Sequence, residues 1–421
     1  MVYVISKQGQ PLMPCSKYGK VRHLLKSGKA KVIRRCPFTI QLTYDCPNYR
    51  QEIILGQDTG SKHVGTACIT NDMIVYQSQI ELRDDIKSKM NGRRQARRGR
   101  RNRKTRYRKV RFLNRKNSIK LDRLSPSVKH KVQAHIDEIE FCKKILSISK
   151  IVFEVSRFDT HLMKNPTLIG EKLKHWGYQK GFNYEYSSRK DAILHRECYT
   201  CQCCGKKNIR LEVHHIIYRS QGGTDDENNL ITLCEDCHSK IHDGKLIIDK
   251  KLKKMNLKYA THMSIIRNQL LKVYPEAIET FGFVTKENRN HLDLPKDHYL
   301  DACVIASGGK LFKLGDEIFY KRRVAKGDYQ LAKGIRGEQK IPVGKIQGFR
   351  KFDKVKYFGK EYFIKGRMSS GFAILMDIFN NKIDFSFMPN GYKTPKLSNL
   401  KRVSARRSCL YISQKITQNI A

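Results

Sequence analysis

The sequence predicts an α+β multidomain protein whose mixed β-sheet is assembled from segments that lie far apart in the chain. Three observations carry that expectation. Apolar, strand-like runs end in an acid at Asp58 and again at Glu154, with an Arg-rich stretch between them. A Cys- and His-rich insert separates the second run from a third acid-bearing segment around Asp301. After about residue 310 the chain is basic and punctuated by glycine, the pattern of a small β-rich domain.

The elements follow in order. Residues 1–50 form a small basic unit. It contains a strand at Val2–Ser6, a turn at Pro11-Leu12-Met13-Pro14, a basic helix near Lys20–Ser27 and a strand near Phe38–Tyr44. Residues 51–86 carry the run ending at Asp58, then His63–Thr70 and Met73–Ile80. Short turns between these runs predict an antiparallel meander. Residues 87–118 are Arg-rich, with 14 Lys or Arg and no acid between Arg93 and Lys116. Arg94, Arg97, Arg98, Arg101, Arg108 and Arg115 fall at helical intervals, but cations occur all round. Such a helix cannot enter an apolar core. It is expected to fold along a nucleic-acid backbone with Arg forks on phosphates, Tyr107 and Phe112 anchoring one side. The alternative is a disordered polycationic arm. The expected contacts are Arg93, Arg94, Arg97, Arg98, Arg100, Arg101, Arg103, Lys104, Arg106, Arg108 and Arg111.

Residues 119–185 hold an amphipathic helix over 127–149, with Val128, Val132, Ile136, Ile139 and Leu146 on one face, and then Ile151-Val152-Phe153-Glu154. The insert occupies 186–250. Residues 251–310 add a helical stretch near 260–275 and a helix over 297–306 with acids near its start. Residues 311–421 form the β-rich remainder, with strand-like segments in Lys354–Ile364 and Gly371–Met376.

Charge narrows the partners. Lys and Arg number 84 against 39 acids, a formal net charge of +45 over 421 residues. That excess repels itself unless a polyanion neutralises it, and nucleic acid is the natural one. Only a solvated basic face or an anionic membrane surface would compete. No apolar run approaches the roughly 20 residues that span a bilayer. The first residues carry no secretory pattern. Six of the 13 cysteines crowd into 198–237, which points to metal ligation in a reducing compartment, the cytosol.

The insert carries the most specific pattern. Cys201-x-x-Cys204 and Cys234-x-x-Cys237 have the spacing of paired zinc knuckles, and four thiolates would close a structural zinc site. Cys198-x-x-Cys201 has the same spacing, so the upstream pair stays open. Between the pairs stand His214, His215 and Asn229; His238 and His242 follow four residues apart, on one helical face. His214, His238 and His242 can converge on one magnesium ion. His215 beside it can act as general base on water, and Asn229 can hold the loop that orients it. These residues resemble the HNH, or ββα-metal, nucleases. A zinc ribbon that only binds nucleic acid is the plainer reading, but it has no use for this histidine set.

Asp58, Glu154 and His298 with Asp301 are individually unremarkable. Their order resembles RNase H-like (RuvC) nucleases, where acids from remote segments hold two magnesium ions that activate water and stabilise the leaving oxygen. Asp297 competes with Asp301 for the third acidic position; His298-x-x-Asp301-Ala302 favours Asp301.

Taken together, the Pro11-Leu12-Met13-Pro14 motif, the split RuvC segments, the Arg-rich bridge helix and the HNH insert resemble the IscB nucleases of transposons, compact relatives of the RNA-guided effector nucleases. The resemblance implies a structured noncoding guide RNA and a double-stranded DNA target. The HNH site would cut the guide-paired strand and the RuvC site the displaced one. The C-terminal domain would contact RNA and a short motif beside the target. One protein chain would act within a ribonucleoprotein, in the prokaryotic cytoplasm or nucleoid. Two other functions compete: an unguided HNH homing or restriction endonuclease, and a non-catalytic RNA-binding transposon regulator.

Overall fold

The structure is a computed structural model. It describes residues 1–101, 124–156, 186–221, 223, 225–247, 257–325, 345–389 and 391–416. The chain divides into two compact units: residues 1–157 with 262–421, and residues 158–261. Among the described residues no helix is long and apolar enough to cross a membrane.

The first unit opens with a three-stranded sheet. Its strands are β1 (Tyr3–Ile5), β2 (Ala30–Arg35) and β3 (Phe38–Leu42), in the order β1-β3-β2. Helix α1 (Tyr18–Lys26) contributes Val21 to a small core with Val2, Leu12, Ile40 and Leu42. Strand β2 was not expected, because in Ala-Lys-Val-Ile-Arg-Arg only Ala30 is buried.

The main sheet has seven strands. They are β4 (Ile54–Asp58), β5 (His63–Thr70), β6 (Met73–Glu81), β7 (Lys150–Val155), β10 (Ile278–Phe281), β11 (Glu317–Arg323) and β16 (Cys409–Lys415). Their order is β10-β7-β4-β5-β6-β11-β16. Strands β4, β5 and β6 form the antiparallel meander read from the sequence. Strand β7 runs parallel to β4 with Asp58 beside Glu154, and β10 runs parallel to β7.

Both faces are covered. One meets α3 (Pro126–Ile145) and α6 (Lys258–Val273) through Leu55, Cys68, Phe153, Val132, Ile139, Ile266 and Leu270. The other meets α8 (His298–Ser307) through Ala67, Ile69, Ala302, Cys303 and Ala306. Side chains alternate along a strand. Ile151, Phe153 and Val155 of β7 face α3, so Glu154 faces α8. Glycine lets α8 approach closely. A methyl group at Gly56 would stand 2.5 Å from the Ala302 carbonyl oxygen; one at Gly65 would stand 1.8 Å from that of His298. Helix α3 ends four residues earlier than the sequence suggests, because Leu146 turns extended and Ser149 begins to pair with Ile53.

The C-terminal boundary needs correcting. Residues 311–421 do not stand apart as a β domain: β11 and β16 complete the main sheet, β11 parallel to β6 and antiparallel to β16. Between them lies a four-stranded sheet of β12 (Lys354–Tyr357), β13 (Lys360–Arg367), β14 (Ala373–Met376) and β15 (Lys401–Ser404), ordered β14-β13-β12-β15. Strand β11 escaped notice because its inward residues include a lysine. Lys321 is buried, and its ammonium bonds both carboxylate oxygens of Glu138 at 2.7 and 2.8 Å and the Tyr76 hydroxyl at 2.7 Å. Ser78 and Tyr76 also donate to Glu138.

Removing one partner of a buried ion pair leaves an uncompensated charge. Lys321→Met should therefore cost about 3–5 kcal/mol in urea unfolding, and adding Glu138→Leu should recover much of it. A single variant as stable as wild type would contradict the tie between β11 and α3.

Candidate metal centres

The second unit builds two donor clusters on one hairpin and one helix. Helix α4 (Arg189–Arg196) leads in, and the Arg196 guanidinium donates to the Leu230 carbonyl at 2.8 Å. Strands β8 (Leu211–His215) and β9 (Leu230–Cys234) pair antiparallel, with Leu211 opposite Cys234 and His214 opposite Ile231. Helix α5 (Glu235–His242) follows without a break. The hairpin brings the early pair Cys201 and Cys204 to Cys234 and Cys237, and all four sulfurs lie within 4.8 Å of one another. Cys198 and Cys203 lie outside the cluster, so the geometry favours Cys204 as the companion of Cys201. Burial acts against ionising Cys201, but backbone N–H groups of Cys204, Cys234 and Cys203 outweigh it and bring the thiol down to about 6. Burial and the neighbouring thiols push Cys237 the other way. Four sulfurs so close cannot all ionise without a cation among them. The set fits a closed tetrahedral dication.

At the other end of the hairpin, His214, His238 and His242 place ring nitrogens within 4.8 Å of one another. The His238 and His242 ε nitrogens are 3.2 Å apart. Glu212 accepts from His238 Nδ1 at 2.9 Å, which fixes the tautomer and leaves the ε nitrogen free to ligate. His214 is buried; burial and then the charges of His238, His242 and His215 pull it down to about 4, so it stays neutral. Three imidazoles form a nitrogen donor set. Magnesium prefers oxygen, so a first-row transition dication fits these side chains better than the expected magnesium.

His215 points to the opposite side of β8. Its Nε2 donates to Asp225 at 2.8 Å, and Asp225 also accepts from Arg219 at 2.9 Å. The carboxylate leaves the His215 δ nitrogen as the acceptor. His215 lines a cleft of about 400 Å³ with three cations, Arg189, Lys190 and Arg219, and two acids, Glu212 and Asp225, a small positive excess that can meet a phosphodiester. Asn229 is buried and clamps the loop before it: Oδ1 accepts from Ile217 N at 2.9 Å and Nδ2 donates to Ile217 O at 3.0 Å. Sequence reasoning gave no role to Glu212 or Asp225. Glu212, two residues before His214 on the same strand, held the available signal, since alternation puts both on one face.

The first unit gathers its acids where β4 and β7 end under α8. Asp58 and Glu154 are neighbours across the parallel pair. His298 begins α8, and its Nδ1 bonds Asp58 Oδ2 at 2.6 Å. His63 stacks on His298 with ring centroids 5.2 Å apart. Asp301 is buried and accepts from Arg289 at 2.6 Å; Arg289 comes from α7 (Gly282–His291). Asp297 caps α8 by accepting from the His298 N–H at 2.8 Å. Asp58, Glu154 and Asp301 do not form a cluster as tight as the two in the insert.

Their electrostatics still bind them together. Burial raises Asp58 despite its bond to His298, with Asp301 adding to the rise. Burial and then Asp58 push Glu154 up to about 7. The bond to Asp58 raises His298. Crowded, half-desolvated carboxylates of this kind suit hard divalent cations with oxygen preference.

The Arg-rich segment enters the described structure as α2 (Ile86–Arg101), with Arg93, Arg94, Arg97 and Arg98 exposed. Arg103, Lys104, Arg106, Arg108 and Arg111 lie outside the described residues, as do the side chains of Arg100 and Arg101.

Two family models match the chain. One, described as RRXRR protein, covers residues 2–181; the other, HNH endonuclease, covers residues 201–244. Arg97-Arg98-Gly99-Arg100-Arg101 stands inside the first match, and the HNH domain follows directly. An RRXRR domain joined to an HNH domain is the arrangement of an IscB-type protein. This IscB-type chain is 39% identical over 66 residues to anaredoxin of Nostoc sp., covering 16% of the chain and 87% of that protein. It is 39% identical over 61 residues to the type IV methyl-directed restriction enzyme EcoKMcrA of Escherichia coli, covering 13% of the chain and 22% of that enzyme. Two crystal structures of Streptococcus thermophilus Cas9, in complex with AGGA PAM and GGAA PAM, are similar at TM-score 0.34 and 12% and 13% identity. The matches cover 57% and 58% of the IscB chain, which spans 32% of each Cas9 chain.

A pH dependence follows from Glu154. Its folded pKa of about 7 lies above the ordinary 4.5, so the folded state keeps a proton the unfolded chain has released. Stability present below the ordinary value is lost as pH rises through the folded one. In metal-free protein, Glu154→Gln should melt higher than wild type by a margin that grows between about pH 5 and about pH 8. A margin independent of pH would show that Glu154 is not held protonated.

Proposed function

We propose that the chain is an RNA-guided endonuclease that cuts both strands of a DNA duplex, each at its own metal centre. One observation carries the reading: a single chain holds two donor sets of different chemistry, an imidazole cluster beside a tethered histidine base and a carboxylate group under α8. A nuclease with one cutting site needs only one of them.

In the HNH domain, His215 takes the proton of the attacking water on its δ nitrogen. Asp225 holds the ring and stabilises the imidazolium that results, while Arg219 and Arg189 in the same cleft orient the scissile phosphate. His214, His238 and His242 would hold a divalent cation that stabilises charge on the phosphate and the leaving oxygen. Cys201, Cys204, Cys234 and Cys237 would hold a structural zinc that keeps the hairpin and helix in register.

The seven-stranded sheet supports a RuvC assignment. A three-strand antiparallel meander, a fourth strand parallel to the first, and a helix laid across that junction are the features an RNase H-like centre requires. Asp58, Glu154 and Asp301 would hold two magnesium ions, which lower the pKa of water and steady the departing oxygen. His298, bonded to Asp58, is placed to move a proton at the attacking water. Arg289 fixes Asp301 until a cation competes for it.

Guidance by RNA rests on the family, the net charge of +45 and the cationic α2. Base pairing then supplies sequence selection, while the protein holds backbones and reads a short flanking motif. The likeness to a restriction enzyme favours a second reading, an unguided duplex nuclease. RNase treatment separates them, because only the guided enzyme loses cleavage.

Two outcomes test the reading. Asp58→Ala should leave an enzyme that nicks only the guide-paired strand, and His215→Ala one that nicks only the displaced strand; EDTA should stop both. Double-strand cutting by either variant would remove that residue from its role. Elemental analysis should find about one zinc per chain lost in Cys234→Ser and none lost in Cys198→Ser. Equal zinc in both variants would refute the four-cysteine site.

A further inference from the structure

The first unit carries a concentration of chemistry that neither metal centre uses. Two cavities share Arg407, which stands just before β16. The larger, about 490 Å³, is lined by Lys345, Arg350, Arg402, Arg406 and Arg407 with one acid, Asp353. That acid is buried and engaged within the protein. It accepts from the backbone N–H groups of Arg350 at 2.9 Å and Arg406 at 2.8 Å, with the Arg402 guanidinium 3.8 Å away. Asp353 thus shapes the wall, and the cavity keeps a large positive excess.

The smaller cavity, about 180 Å³, has aromatic walls from Phe141, Phe319 and Tyr411. The Arg34 guanidinium lies over the Phe141 ring at 4.7 Å, and the Lys321 ammonium lies 4.1 Å from the same ring. Its two acids are already engaged: Glu138 by Lys321, Tyr76 and Ser78, and Asp137 by Arg323 at 2.8 Å. The slot therefore presents the Tyr411 ring and the Arg34 guanidinium stacked on Phe141, while Phe319 is buried against Tyr76. It is smaller than the roughly 300–1,000 Å³ of ordinary ligand pockets.

We propose that the two cavities form a receptor for one unpaired RNA nucleotide, with a backbone phosphate in the larger and the base in the smaller. Arg forks match phosphate oxygens, and no free acid competes for them. Aromatic and guanidinium planes stack on any base, so the site selects for an unstacked nucleotide and not for its identity. Structured RNA holds such nucleotides in its loops and bulges before any DNA is bound, whereas the target offers them only after its strands separate. The proposal rests on the guided reading and adds a fixed anchor that holds the RNA while DNA is exchanged.

The test uses the full chain purified with its RNA. Ultraviolet crosslinking and mass spectrometry should join one unpaired RNA nucleotide to the peptide bearing Tyr411 or Phe141. Arg407→Ala with Tyr411→Leu should weaken RNA binding about tenfold and expose that nucleotide to base-reactive probes, at unchanged melting temperature. A folded variant with unaltered RNA affinity and probing overturns the receptor and leaves the guided reading intact. Crosslinks from these peptides to DNA alone overturn the assignment to RNA. A chain that purifies without RNA overturns both readings together.

Discussion

The first unit depends on the close seating of α8 on β4 and β5. Gly56 and Gly65 make it possible, because any side chain there would collide with the helix backbone. That contact lays the start of α8 over the ends of β4 and β7. It brings His298 to Asp58 and Asp301 into the field of Asp58 and Glu154, though these residues come from three distant stretches of chain. The cost is electrostatic. Acids taken out of water beside one another ionise reluctantly, and both Asp58 and Glu154 are raised.

The two centres are organised differently. In the HNH domain the donors converge before any ion arrives, because one hairpin and one helix fix every position. Supporting groups are also in place: Glu212 orients His238, Asp225 orients His215 and Asn229 closes the loop. Under α8 the acids are neighbours but stay paired to His298 and Arg289. A cation entering there must displace these contacts, while one entering the imidazole cluster displaces none that the protein needs. Occupancy of the two centres should therefore respond differently to metal identity and concentration.

Much of this was legible in the sequence wherever structure is local. The strands His63–Thr70 and Met73–Glu81 announce themselves through apolar runs and turns, and the Cys and His spacings specify a ββα unit within one short segment. The acid positions could be marked from the sequence, but their neighbour relations come from sheet register, which spacing does not encode. Strands β2 and β11 were hidden by their cations. In β11 the cation is a core residue, made tolerable by Glu138 on a helix nearly two hundred positions away, at a sequence separation of 183. The choice between Asp297 and Asp301 likewise needed geometry. Asp297 is occupied with capping α8, while Asp301 is turned inward to Arg289.

The buried acids also sharpen the meaning of the net charge. Of the 39 acids, Asp58, Glu138, Asp301 and Asp353 are buried, and Glu154 is half-buried beside them. Each serves the interior, by shaping a metal site, closing a core ion pair or forming the wall of a cavity. The buried cations Lys131, Arg289, Lys321 and Lys354 balance these buried acids, so the formal +45 stays at the surface. Exposed ion pairs such as Lys7–Asp45 and Lys150–Glu52 contribute little and leave that excess in place. The protein has too few acids of its own to balance its cations, and neutralising the exterior falls to phosphates supplied from outside. On this view a polyanion completes the electrostatics of the fold.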